Sequence, residues 1–189
     1  GEFPAPFLPT EDYLGLVAGN LKYSAVFSSI FAGGQIDPKL RPDMERQLPS
    51  PEDCTVDVTA GAGQYRAVGR TISISRMQAI SRHVQQAWIK LNSGEALSQL
   101  GTLSELLGSD RDGTMPEPTV IVVSSIAGGS GAGQYLDVTE AIKAMGKNAV
   151  WTEHLFSILY SPDVFHRIDN KAGVEPNAIA EISEAMAGL

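Results

Sequence analysis

The sequence predicts an α/β fold, a doubly wound and mostly parallel sheet with helices on both faces, and three observations predict it. The β-branched run Thr119 to Ile126 (TVIVVSSI) has the composition of a strand covered on both faces, as strands of parallel sheets are. It leads directly into a glycine-rich turn, Ala127 to Gly133, and then into a helical pattern. A second glycine-rich turn, Ala60 to Gly63, stands in the same position between the β-branched run Cys54 to Thr59 and a helix, so strands and helices alternate.

Taken in order, Pro4 to Thr10 is extended and proline-rich. Thr10-Glu11-Asp12 then reads as a cap and acidic first turn for a helix to about Ile30, ended by Gly33-Gly34. Residues 35–53 hold four prolines and mixed charge, which predicts a long connection with one short helix around Met44. Cys54 to Thr59 (CTVDVT) reads as a strand. From Met77 onward Ile80, Val84, Trp88 and Leu91 recur at helical spacing, with Arg76, Arg82, Gln85 and Lys90 on other faces, an amphipathic helix.

Asn92-Ser93-Gly94 punctuates that helix, and Leu97, Leu100, Leu103 and Leu107 predict a second one packed on an apolar surface. A polar loop from Gly108 to Pro118 precedes the strand at 119–126. After the glycine turn a helix runs from about Gln134 to Met145, closed by Gly146. Residues Ala149 to Tyr160 contain another strand, Ser161 to Gly173 form a loop, and Pro176 sits in the first turn of a final helix to Met186. A hydrophobic content of 43% in 189 residues is enough for one core, so a single domain is expected over 1–189. Its motif-bearing part is about 54–188, and 1–53 supply an N-terminal helix and a proline-rich connection.

A net charge of −8 argues against general attraction to nucleic acid or to an anionic membrane. The charge is uneven, because no acid lies between Asp57 and Glu95 while Arg66, Arg70, Arg76, Arg82 and Lys90 fall within that window, with His83 beside them. Such a window either attracts an anion or is a helix face whose acidic partners lie elsewhere in the fold. The single cysteine, Cys54, has no internal disulfide partner and no metal-ligand neighbours in sequence, which fits the cytoplasm and a small buried hydrophobe. The apolar stretch Leu14 to Ala32 is too polar to span a membrane. The chain begins Gly-Glu-Phe with no secretory leader visible, and reads as starting at a fragment boundary.

The chemistry concentrates on the two glycine turns. Open parallel sheets bind ligands beyond the carboxyl ends of their strands, where glycines let backbone N–H groups converge on an anion at a helix N-terminus. The common phosphate motifs do not fit. A P-loop needs Lys and Ser or Thr after its last glycine, and Gly133 is followed by Gln134-Tyr135. A dinucleotide fingerprint needs a third glycine where Leu136 and Arg66 stand. His83, His154 and His166 lack a Ser or Cys partner at diagnostic spacing, and Ser130 is not in a nucleophile elbow, so a hydrolase triad has no support.

Ala127 to Gly133 is instead similar to the glycine signature of the tubulin/FtsZ superfamily, departing from it at Ala127 and Ala132 and keeping a central hydroxyl in Ser130. The stretch GAGQYRAVGR, Gly61 to Arg70, resembles the family loop that approaches the terminal phosphate and its magnesium. Glu175-Pro176-Asn177-Ala178 is similar to the segment whose asparagine contacts guanine. Together with GGSGAGQYLDV, Gly128 to Val138, these most resemble the tubulin-like proteins of actinobacteria.

The resemblance implies a Rossmann-type nucleotide-binding domain that takes GTP or GDP, with any Mg²⁺ held mainly through the nucleotide. It implies phosphate backbone contacts at Gly128, Gly129, Gly131 and Gly133, a hydroxyl donor in Ser130, a terminal-phosphate lining from Gly61, Gly63 and Gln64, and a guanine contact at Asn177. To these charge adds Arg66 and Arg70, whose guanidinium groups can grip a phosphate or pair with Asp57 or Asp137, the pairing being favoured for Arg70. Asp137, early in its helix, favours the helix dipole, with magnesium organisation as the lesser role.

The family's first strand and its phosphate loop are not found before residue 60, and its acidic catalytic loop, which follows the central helix and acts on the neighbouring subunit's nucleotide, lies in a region before which this chain stops, so the domain reads as partial. Weak or absent nucleotide affinity and negligible GTP hydrolysis are expected of this chain alone, with a GTPase and a filament expected of the full-length protein. Self-association through an exposed sheet edge follows if the first strand is absent. The alternatives are a degenerate scaffold without turnover, and a sugar-phosphate or dinucleotide enzyme on a Rossmann-like sheet.

Overall fold

The computed structural model describes residues 10–17, 21–32, 36–108, 118–145, 154–165, 167 and 172–188. Within them lie helices α1 (Tyr23–Ala32), α2 (Arg41–Gln47), α3 (Arg66–Leu91), α4 (Gly94–Leu106), α5 (Gly129–Met145) and α6 (Val174–Ala187), and strands β1 (Val120–Ser125) and β2 (Leu155–Tyr160). The class is α/β. The two strands are parallel, with Val120 opposite Leu155 and Ser125 opposite Tyr160, and α5 lies in the crossover between them.

Several expectations are met. Met44 lies in α2, Ser93 caps α4 by accepting from Ala96 N–H at 3.2 Å, β1 falls inside the β-branched run, and Pro176 sits in the first turn of α6. The expected closures at Gly33-Gly34 and Gly146, the extended segment before Thr10 and most of the loop at 108–118 lie outside the described residues.

Two expectations near the N-terminus are corrected. Thr10–Asp12 forms one 3-10 turn and α1 begins only at Tyr23. Asp12 is drawn away to Lys90 on α3, at 3.0 Å, while Leu16, Val17 and Leu21 pack on the core instead of completing a helix. Nor do Cys54 to Thr59 form a strand. Tyr23 N–H donates to Val56 O and Val58 N–H to Leu21 O, both at 3.1 Å, giving one antiparallel bridge between Lys22 and Asp57. There Asp57 accepts from Thr59 N–H at 2.9 Å and turns the chain into a 3-10 turn at Val58–Ala60, a local bond that competes with extended pairing.

The core lies between this bridge and the start of α3, where Tyr23, Val26, Val58, Ala62, Val68 and Ile72 are buried together and Cys54 packs at the margin. Tyr23 is fully enclosed and its hydroxyl donates to Pro49 O at 2.7 Å, which satisfies the one polar atom a buried tyrosine brings. The best-packed part of α3 is therefore its first turns, not the stretch with the clearest periodicity. Of the periodic set only Ile80 is buried, and Leu91 is exposed.

Two apolar surfaces lack cover among the described residues. The leucines of α4 are not buried. On the sheet, Ile121 and Val123 of β1 stand opposite Phe156 and Ile158 of β2 on one face, and each is more than half exposed. Of the cover expected on both faces of β1, the described residues supply one side: α5 covers one face, and its Tyr135 hydroxyl donates to Ser157 Oγ at 2.8 Å.

Candidate functional site

The two glycine loops meet. Gly61 and Gly63 have φ of 92° and 55°, left-handed conformations that a side chain would strain, and they fold residues 61–65 back against the start of α5. Gly129 N–H donates to Gly63 O at 2.8 Å, and Ala62 N–H donates to Ser130 Oγ at 3.3 Å. So the central hydroxyl of the second loop accepts from the backbone of the first.

Behind the loops, α3 and α5 cross at backbone contact. A Cβ on Gly69 would overlap Gly129 O, and one on Gly133 would overlap Arg66 O and sit 2.7 Å from Arg70 N. On the sheet side, a Cβ on Gly131 would strike Ser125 O and approach Ser124 Oγ to 3.0 Å. Gly128 differs, since a Cβ there would meet nothing within 4 Å. Thus Gly69, Gly129, Gly131 and Gly133 have a packing reason to be glycine, and Gly128 has open space in front of it.

The helical ladder of α5 begins with Ala132 N–H donating to Gly128 O at 3.0 Å, which leaves the Ser130 and Gly131 amides ahead of the ladder at the positive end of a helix of 17 residues. Gly133 stands one turn further in, within the helix.

A third element joins the two loops. Asn177 of α6 is 9% exposed, and its Nδ2 donates to Gln64 O at 2.9 Å and to Ala127 O at 3.1 Å. In return Gln64 Oε1 accepts from Gly173 N–H, the residue capping α6, at 2.8 Å. Gln64 and Asn177 also border a cleft of about 540 Å³ whose other walls include Cys54, Val56, Tyr65 and Arg66.

Arg66, expected at a phosphate, has its guanidinium turned to α6 and α5. Nε donates to Ala132 O at 3.1 Å and to Glu181 Oε2 at 3.0 Å, while the terminal nitrogens make a two-pronged pair with Glu184, at 2.8 Å on one prong. Glu184 holds Arg66 firmly protonated, and Arg66 in turn keeps the Glu184 carboxyl below its ordinary range. Glu181 is fully buried, and that burial pushes its carboxyl upward against the pull of Arg66; its Oε1 has no hydrogen-bond partner among the described residues. Arg70 lies 3.8 Å from Asp137, which also accepts from the Ser73 hydroxyl. Burial raises Asp137 too, with Ser73 and then Arg70 opposing.

Three cations of the acid-free window have acidic partners elsewhere, Arg66 with Glu181 and Glu184, Arg70 with Asp137 and Lys90 with Asp12, while Arg76 and Arg82 donate to the backbone carbonyls of Leu16 and Gln78. Sequence reasoning named Asp137 and missed the two glutamates. Their spacing of three on the final helix, which puts them on one face, was the available signal.

A family model described as tubulin-like matches residues 33–187. No curated protein and no solved structure gives a significant match.

Proposed function

We propose, because this chain belongs to the tubulin-like family, that it binds GTP or GDP with the phosphates cradled where loops 60–70 and 127–133 meet. The observation that carries the reading is the end of α5, where the Ser130 and Gly131 amides precede the helical ladder beside the open approach at Gly128. An anion there meets converging N–H donors and the positive helix end, and each charge-assisted bond contributes about 1.5–3 kcal/mol. Gly61 and Gly63 bring the first loop to the same place. Gly129 and Gly133 act in this proposal by letting the two loops and helices close on each other, and Gln64 and Arg66 by fixing the first loop to α6. Any Mg²⁺ would be carried mainly by the nucleotide's own phosphate oxygens.

The bare apolar face of β1 and β2 supports a sheet with helices on both faces, the doubly wound form, and self-association or filament formation by the full-length protein. The lone, free Cys54 fits a cytoplasmic protein. Hydrolysis by this chain alone is proposed to be negligible; in keeping with that, four of its carboxylates are engaged by other side chains, Asp57 by Thr59, Asp137 by Ser73, and Glu181 and Glu184 by Arg66.

A scaffold that keeps the fold without nucleotide is the second reading, favoured by one observation: the Gly129 amide and the Ser130 hydroxyl already bond to the other loop. Equilibrium binding of labelled GTP and ATP, followed by light scattering with each, separates the two. Saturable GTP binding supports the first reading, and binding of neither nucleotide leaves the scaffold.

A further inference from the structure

We infer that Asn177 is a positioning residue that sets the distance between the two glycine loops, and that it does not read the nucleotide base. The inference rests on the proposal that the loops hold a phosphate, and it assigns to α6 the role of keeping them in register.

A primary amide has two N–H donors and one carbonyl acceptor. Both donors of Asn177 are engaged, one at Gln64 O and one at Ala127 O. Carbonyl oxygens only accept, so the two partners fix which end of the amide faces them. Recognition of guanine through a paired donor and acceptor needs a donor that Asn177 lacks while both loops are in place.

The positions of the two carbonyls give the amide its role. Gln64 ends the first loop, one residue before the Tyr65 cap of α3, and Ala127 opens the second, two residues before α5. One rigid side chain thus spans both loops at their roots. Its own helix is anchored to the first loop by the opposite bond, Gly173 N–H to Gln64 Oε1, so Asn177 and Gln64 exchange side chain for backbone across the junction. Val174 and Ala178, on the same face of α6, are buried at 5% and 4% exposure and hold Asn177 against the loops. Loss of the clamp frees two carbonyls and lets the loops separate, which weakens any ligand held by both, whatever base it carries.

Two variants and two readouts test this. Amide hydrogen exchange on the ligand-free protein is the first. Asn177→Ala is expected to speed exchange in residues 60–65 and 127–133 by about tenfold, the loss expected for a hydrogen-bonded clamp. Asn177→Asp is expected to speed it further, because a carboxylate would face two carbonyl oxygens. Unchanged exchange in both loops overturns the clamp, whether or not any nucleotide binds.

Binding of GTP, inosine triphosphate and inorganic tripolyphosphate is the second readout. Both variants are expected to weaken all three by the same factor, leaving the ratio of GTP to inosine triphosphate unchanged. Loss confined to GTP, or full GTP affinity in Asn177→Asp, whose carboxylate still accepts from guanine, overturns the inference. If the unmodified protein binds none of the three, the proposed function fails while the exchange result still decides the clamp. Should the Ala and Asp variants not fold, Asn177→Ser, with a shorter single donor, carries the same readouts.

Discussion

Gly129 donates its N–H to the carbonyl of Gly63 at 2.8 Å, and a Cβ on Gly129 would sit 2.6 Å from Tyr65 N and 2.9 Å from the carbonyls of Ala62 and Gly63. One glycine thus serves as both a bond and a clearance between the loops. The glycines of this region divide into Gly69, Gly129, Gly131 and Gly133, which let backbones touch, and Gly63 and Gly128, which face open space, Gly63 at a positive φ.

That division can be measured. Glycine within a helix ordinarily costs about 0.5–1 kcal/mol relative to alanine, so an alanine there should stabilise if space allows. Gly69→Ala and Gly133→Ala are expected to lower stability by about 1–3 kcal/mol instead, because the methyl forces α3 and α5 apart. Gly128→Ala is expected to change it by less than about 1 kcal/mol. Urea denaturation of the three variants checks the order.

Arg66 neutralises a carboxylate that has no exposure to water, since Glu181 is 0% and Arg66 17% exposed. Removing the guanidinium leaves a charge buried and unpaired, so Arg66→Ala should cost about 3–5 kcal/mol. Adding Glu181→Gln to it should recover part of the loss. A double-mutant cycle by denaturation measures the coupling, and simple additivity would contradict it.

Asp137 gives a pH dependence of definite sign. Burial raises its pKa in the folded state, so its contribution is at its most favourable below the ordinary carboxylate pKa and is lost as pH rises through the raised value. Glu184, held low by Arg66, acts in the opposite sense: its contribution is present above the ordinary value and is lost as pH falls through the lowered one. Asp137→Asn keeps an acceptor for Ser73 and gives up a pair with Arg70 that is 38% exposed, worth about 0–1 kcal/mol. The variant should be relatively more stable at about pH 7 than at about pH 4 when each is compared with the parent. Unfolding curves at the two pH values decide this, and a greater relative loss at neutral pH would contradict it.

The open face of the sheet sets a further expectation. Ile121, Val123, Phe156 and Ile158 are 52–57% exposed side by side, an apolar patch of the kind that binds hydrophobic dyes and promotes association. Val123→Lys together with Ile158→Lys is expected to lower dye fluorescence and the concentration-dependent mass in sedimentation, with secondary structure retained. Unchanged values in both would show that the patch is covered in solution.

The sequence made β1, both glycine loops and α2 to α6 readable, because each carries a local signal: β-branched content, clustered glycines, or apolar residues at helical spacing. Cys54 to Thr59 misled for a physical reason. Its β-branched residues do run extended, but Asp57 uses its side chain to turn the backbone, and among the described residues the pairing is one bridge to Lys22. The helix from Thr10 failed similarly, since its acidic cap residues found Lys90, far along the chain. Within the site, Ala127 to Gly133 were legible as a strand-to-helix junction but not as it is built: α5 begins at Gly129, five residues before the expected start at Gln134, because those glycines lie in the helix where α3 and β1 pack against its backbone, and a glycine in a helix shows its neighbour only in three dimensions. Glu181 and Glu184 were hidden among ordinary surface acids until α6 was seen to bring them to Arg66.

Both loops are proposed to serve one phosphate site, and backbone amide shifts followed residue by residue through a GTP titration test this. Gly128, Ser130 and Gly131 are expected to shift together with Gly61 and Gly63 along one saturation curve. Shifts confined to one loop, or centred on the Arg76 to Arg82 face of α3 with both loops unmoved, would contradict it.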